Sequence, residues 1–139
     1  MTARTATAAV GLLTLAFGLL GLFYPERVMG FVGFMPVSPA QVAGALGETR
    51  AQYGGAFVVL GGATLWAAGD PRTHRGTLLL IGLFWLAHLA GRTLGASVDG
   101  NPGLFGWLSA VLEAVAGSVL AAAPYVGADS ETAASPPAS

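Results

Sequence analysis

Only a handful of side chains in this sequence can do chemistry, and most of them fall close together. The stretch 47–55 reads Gly-Glu-Thr-Arg-Ala-Gln-Tyr-Gly-Gly and carries Glu48, Arg50, Gln52 and Tyr53. His88 and Arg92 follow at one-turn helical spacing, and Glu113 stands alone in an apolar run. A carboxylate beside a guanidinium has two uses. The planar arginine fork can clamp it bidentately as structure, or can tune it as a proton donor or base. Arginine also holds anionic head groups. Glu113 and Glu48 are therefore the candidate catalytic groups. Glu48, Arg50, Gln52, Tyr53, His88, Arg92 and Glu113 together form a candidate ligand-binding or polar network.

Composition narrows the chemistry. Hydrophobic residues make up 54% of the 139 and charged residues 9%, well under the roughly 25% charged of soluble domains. The six basic residues are all arginine and nearly balance seven acids, so no surface can neutralise many phosphates and no nucleic-acid partner is expected. Without cysteine there is no disulfide, thiolate nucleophile or thiolate metal site. His74 and His88 show no ligand spacing, so neither a metal nor a cofactor is expected. The absence of lysine excludes a Walker loop, and no Gly-x-Ser-x-Gly or His-Glu-x-x-His element occurs.

The elements that must position these residues read as an all-α, four-transmembrane-helix bundle with helices at about 8–24, 39–68, 77–95 and 104–126. Residues 8–24 run without a charge, and Pro-Glu-Arg follows them where a secretory signal would have a small-x-small cleavage site, so they read as an uncleaved anchor. Gly11, Thr14, Gly18 and Gly21 place a small-residue stripe along that helix. Residues 28–37 are apolar but too short to span, and read as an interfacial or re-entrant segment. Ser38 and Pro39 then supply an N-cap and first-turn proline, with Gln41 placed for a capping box. On the second helix Arg50, Gly54, Phe57 and Gly61 share one face, and Glu48, Gln52, Gly55, Val59 and Gly62 another. Residues 1–126 make one domain, and the small, polar tail 127–139 reads as disordered.

Arg4, Arg72 and Arg75 lie on one side of such a bundle, which by the positive-inside rule puts both termini in the cytoplasm. Glu48, Arg50, Arg92 and Glu113 then enter the outer half from three helices at similar depth. An isolated charge at mid-bilayer costs about 2.5–3.5 kcal/mol even on the lenient insertion scale, so pairing is the expected remedy. Around it, His88 beside Trp85 reads as a packed imidazole and His74 as a solvated loop residue. Tyr53 and Trp107 read as aromatic anchors at one interface, and Trp66 and Tyr125 at the other.

Tyr-Pro-Glu-Arg at 24–27, Glu-x-Arg-x-x-Tyr-Gly-Gly at 48–55, Gly91-Arg92, Asp99-Gly100 and the lone Glu113 together resemble the small bacterial membrane proteins catalogued as domain of unknown function 4345. The resemblance covers about residues 8–126 and implies a four-helix protein of the bacterial inner membrane without an established activity. Three functions suit these residues. The first is a non-enzymatic integral membrane protein, its partners the bilayer and a second copy met through glycine-lined faces. The second is a membrane-embedded enzyme or binder for a lipid or isoprenoid-like molecule. The third is a small transporter or channel subunit.

Overall fold

The computed structural model describes residues 2–33, 35–36 and 38–126, and every regular element among them is helical. The expected disorder of 127–139 lies outside the described residues. Helix α1 spans Ala3–Phe23, five residues earlier than the charge-free run suggests, because the Thr2 side chain caps it by accepting the Thr5 N–H at 3.2 Å. It stops at Tyr24, since the residue before a proline is pushed out of the helical region. Pro25 then opens α2, Pro25–Val32, and Gly33 closes it at φ 75, donating to the Met29 carbonyl. The segment expected at 28–37 is thus a short helix that starts three residues earlier. At about 12 Å it cannot span a membrane.

A long rod of mixed pitch comes next. It comprises a 3₁₀ turn at Pro39–Gln41, α3 at Val42–Thr49, a π-helical turn at Arg50–Gly55 and α4 at Ala56–Ala68. Ser38 stands at the N-cap in extended backbone, without the side-chain cap bond that its sequence setting suggests. In the π turn the Ala56 N–H reaches five residues back to the Ala51 carbonyl. The extra residue turns everything beyond it by about 100° relative to an unbroken α-helix. The buried seam records this: Thr49 and Gly54 are five apart, and Phe57, Gly61 and Thr64 then resume helical spacing. Arg50, expected on the Gly54 face, is exposed for that reason.

The remaining helices are α5, Arg75–Val98, and α6, Gly103–Ala122. Helix α5 runs three residues past the expected end, until Asp99 and Gly100 at φ 102 stop it. Helix α6 ends four residues early because Pro124 cannot continue it. In the turn between α4 and α5, Asp70 accepts the Thr73 hydroxyl at 2.8 Å and its N–H at 3.3 Å, which holds the carboxyl below its ordinary value. His74 lies in this turn, half-buried, with its ring 3.9 Å from that of Trp66 and its Nδ1 3.0 Å from the Asp70 carbonyl. Helices α1, α5 and α6 are each long and apolar enough to cross a membrane, whereas no single α-helical piece of the rod is.

The bundle is two tight antiparallel pairs, α1 with the rod and α5 with α6. In the first, Gly11 faces Leu65, Leu15 faces Gly61, Gly18 faces Val58 and Leu22 faces Gly54, so each glycine receives a branched side chain. A Cβ at Gly61 would lie 2.5 Å from the Leu15 nitrogen, and one at Gly21 would lie 2.6 Å from the Tyr53 carbonyl oxygen. The stripe Gly11, Thr14, Gly18 and Gly21 is buried throughout. The hydroxyls of Thr14, Thr49 and Thr64 each donate to the carbonyl four residues back at 2.8 Å, which makes them tolerable inside this seam. The second pair closes the same way, with Gly82 against the Ala121 backbone and Gly117 against Leu86.

Between the pairs, Ala67, Leu78, Ile81, Leu120 and Ala123 form a core at the end of the bundle that holds the 69–74 turn. The opposite end, roofed by α2, is looser. Gly61→Ala should therefore destabilise the protein by about 1–3 kcal/mol through overpacking. Gly62→Ala, whose Cβ meets nothing within 4 Å, should be neutral or stabilising by up to about 1 kcal/mol. Thermal unfolding of both variants in a mild detergent separates these signs.

Candidate functional site

A cleft of about 320 Å³ opens in the loose half, between the two helix pairs and under α2. Its walls are mainly large apolar side chains, among them Leu13, Phe17, Phe31, Trp85, Leu112 and Val115. Its polar residues are Thr14, Tyr53, His88, Arg92, Ser109 and Glu113. The α6 seam explains the depth of Glu113. Ala110, Glu113, Gly117 and Leu120 repeat at three and four residues, so the carboxylate lies on the face that packs against α5.

Arg92 meets it there from α5. The guanidinium Nη2 donates to Oε1 at 2.7 Å, and Nε donates to Oε2 at 3.1 Å and to Oε1 at 3.3 Å. The Glu113 side chain is 5% exposed and that of Arg92 34%. The carboxylate is thus sealed behind the guanidinium, and the guanidinium faces the cleft. One edge of the fork is used, leaving the Nη1 donors without a partner among the described residues. From the open ends of their helices, Arg92 is about 9 Å deep and Glu113 about 15 Å.

The aromatic groups are placed by one another. Phe17 lies against Phe31, Tyr53 and Phe57 at centroid distances of 6.1, 6.4 and 5.7 Å, and Trp85 lies 5.3 Å from Phe57 in an edge contact. The Trp85 Nε1–H is buried and has no acceptor among the described residues. His88 lies 4.4 Å from the Phe84 ring, but it is exposed and has no hydrogen bond to a described residue, so of the packed, hydrogen-bonded imidazole expected here only the ring contact is present.

The other sequence-derived residues stand apart from the Arg92–Glu113 pair. Glu48 and Gln52 line a second cleft of about 300 Å³ between the rod and α5, and the two clefts share the wall formed by Tyr53, Phe57 and His88. Arg50 lines neither cleft. Glu48 and Arg50 are both exposed, and neither has a hydrogen bond or ion pair to a described residue. The π turn and the aromatic wall separate what depth alone puts in one layer. Reading from the sequence missed Trp85 and the Phe17, Phe31 and Phe57 cluster. Their only signal there is aromatic residues recurring near the polar ones.

Among the described residues no three His, Cys, Asp or Glu side chains gather at one point. Arg92→Gln strands a carboxylate that is almost fully buried and should cost about 3–5 kcal/mol. Glu113→Gln strands a guanidinium that can still turn into the cleft, and should cost less. The double variant Arg92→Met/Glu113→Leu should recover most of the loss, as thermal unfolding of the three proteins will reveal.

No curated protein and no solved structure matches the chain significantly. A family does: the model of Domain of unknown function (DUF4345) matches residues 2–123, nearly the whole of the helical unit described above. The chain, with its glycine-seamed helix pairs and its buried arginine–glutamate pair, belongs to that family.

Proposed function

We propose that the protein is a four-span integral membrane protein of the bacterial plasma membrane that binds a lipid-like amphiphile in the cleft between its helix pairs. Three helices of spanning length and apolarity support the membrane reading, and the rod supplies the fourth span from about residue 51. The outward faces carry exposed Leu12, Leu80, Leu83 and Val111, which lipid would cover. Exposed Tyr24 and Trp107 toward the open end, and Trp66 and Tyr125 toward the closed end, suit two interfacial belts. Arg4, Arg72 and Arg75 at the closed end support an orientation with that end and both termini in the cytoplasm.

The observation that carries the binding reading is a guanidinium edge with free donors at the base of an apolar cleft. A ligand that fits has an oxygen acceptor at its head and a hydrocarbon or isoprenoid tail. Because Glu113 already neutralises Arg92, the head need not bring a full charge. An enzymatic role for Glu113 is less well served, since a carboxylate held 2.7 Å from Nη2 must first give up that partner to move a proton.

Native mass spectrometry of protein extracted in a maltoside detergent tests the reading. A co-purifying lipid-like molecule is expected on the unaltered protein. Ala116→Phe, which fills the cleft from α6, should remove it, while circular dichroism shows the helices intact. Equal retention by both proteins would overturn the proposal.

A further inference from the structure

We infer that the second cleft, between the rod and α5, is a binding site for an alkylammonium group. Glu48 supplies the counter-charge, and the rings of Tyr53, Phe57 and Phe84 supply the walls. This site adjoins the amphiphile cleft across the shared wall of Tyr53, Phe57 and His88 but differs from it in charge: the first cleft is lined by a guanidinium already paired with Glu113, whereas the second has a carboxylate without a described partner and no arginine in its lining. Arg50 is close in sequence, but residues two apart on a helix do not face each other, and it does not line the cleft. Of the lining side chains only His88 can become cationic.

The π turn builds the site. Nine residues of unbroken α-helix would put Phe57 about 180° round the rod from Glu48, and the extra residue brings it within about a quarter turn. Phe57 is then 6.0 Å from Tyr53 and 6.5 Å from Phe84, and His88 closes the far side 4.4 Å from Phe84. Ring faces attract an alkylated ammonium through their quadrupole, and a carboxylate beside them completes a recognition set that discriminates charge and not shape alone. Gln52 adds a hydrogen-bonding amide for a ligand that still carries N–H groups. The cation can be a choline-type lipid head group or a free amine, since both present the same chemistry.

The probe is benzyltrimethylammonium, titrated calorimetrically against the full chain in a maltoside detergent at about pH 8, where an ordinary imidazole is neutral. Its neutral carbon isostere serves as the comparison. The cation should bind at least tenfold more tightly than the isostere. Glu48→Gln should abolish that preference, and Phe84→Leu should weaken cation binding severalfold. Ala116→Phe, which obstructs only the other cleft, should leave it unchanged even if the amphiphile reading fails. In nanodiscs, loss of probe binding in phosphatidylcholine but not in phosphatidylglycerol assigns the natural cation to a lipid head group, and retention in both assigns it to a free amine. Equal affinity for cation and isostere, or an unaltered preference in Glu48→Gln, would overturn the inference. So would loss of binding in Ala116→Phe.

Discussion

The close approach of α1 to the rod is the constraint on which the other elements depend. With a glycine at each of these contacts, supplied by the two helices in alternation, the two backbones run near enough for a single Cβ to collide with main-chain atoms. Dispersion between closely packed backbones is one of the few forces that can hold helices together once lipid has replaced water, because lipid removes the hydrophobic incentive to associate. To keep the alternation of glycine and branched residue through Gly54 and on to Thr49, the rod must insert one residue, and the turn Arg50–Gly55 does so as a π turn. Such turns are rare and recur at functional sites. Here the same insertion that preserves the seam with α1 aims Tyr53 and Phe57 at the space between the helix pairs.

That space exists because of how small and large residues are distributed. Within each pair the facing positions alternate small and large, and the helices close completely. Across the pairs the facing residues of the open half are large on both sides: Phe17 and Phe57 from one pair, Trp85 and Leu112 from the other. Rings with fixed shapes do not interdigitate as branched aliphatic chains do, and edge contacts at 5–7 Å leave gaps between them. In the closed half Ala67, Leu78, Ile81, Leu120 and Ala123 occupy the same interval as a buried cluster of small and aliphatic side chains. The cleft is a consequence of this gradient along the bundle, and α2 covers it with Phe31 and Val32.

Much of this was legible in the residues. The helical class follows from apolar runs. The α1 seam follows from Gly11, Thr14, Gly18 and Gly21, and the meeting of Arg92 with Glu113 follows from depth counted along antiparallel helices at 1.5 Å per residue. What escaped has a common physical origin. Assigning faces on the second helix assumed a constant period of 3.6, so Arg50 was put with Gly54, and one inserted residue moves it to the outside. No single residue announces a π turn; only the five-residue step between Thr49 and Gly54 records it, and that step is visible once burial is known. Hydropathy likewise placed the start of the short second helix at the first apolar residue, although Pro25 carries the stronger local signal.

Depth also explains why one arginine–glutamate pair forms and the other does not. Glu113 lies nearly three turns into its helix with its side chain 5% exposed, so its charge is tolerable only with a partner in contact. Arg92, with a long side chain and a shallower Cα, can reach that partner and still keep part of its fork in the cleft. Glu48 and Arg50 lie beside the π turn, where both side chains are exposed and a pair would gain little over separate hydration. Evolution or chance could therefore leave them apart at small cost, whereas separating Arg92 from Glu113 could not be neutral. A chain with so few charges thus has one that is obliged to be structural and others that are free to meet something else. That freedom at the cleft mouth, more than the buried pair itself, is where the capacity to recognise a second molecule resides.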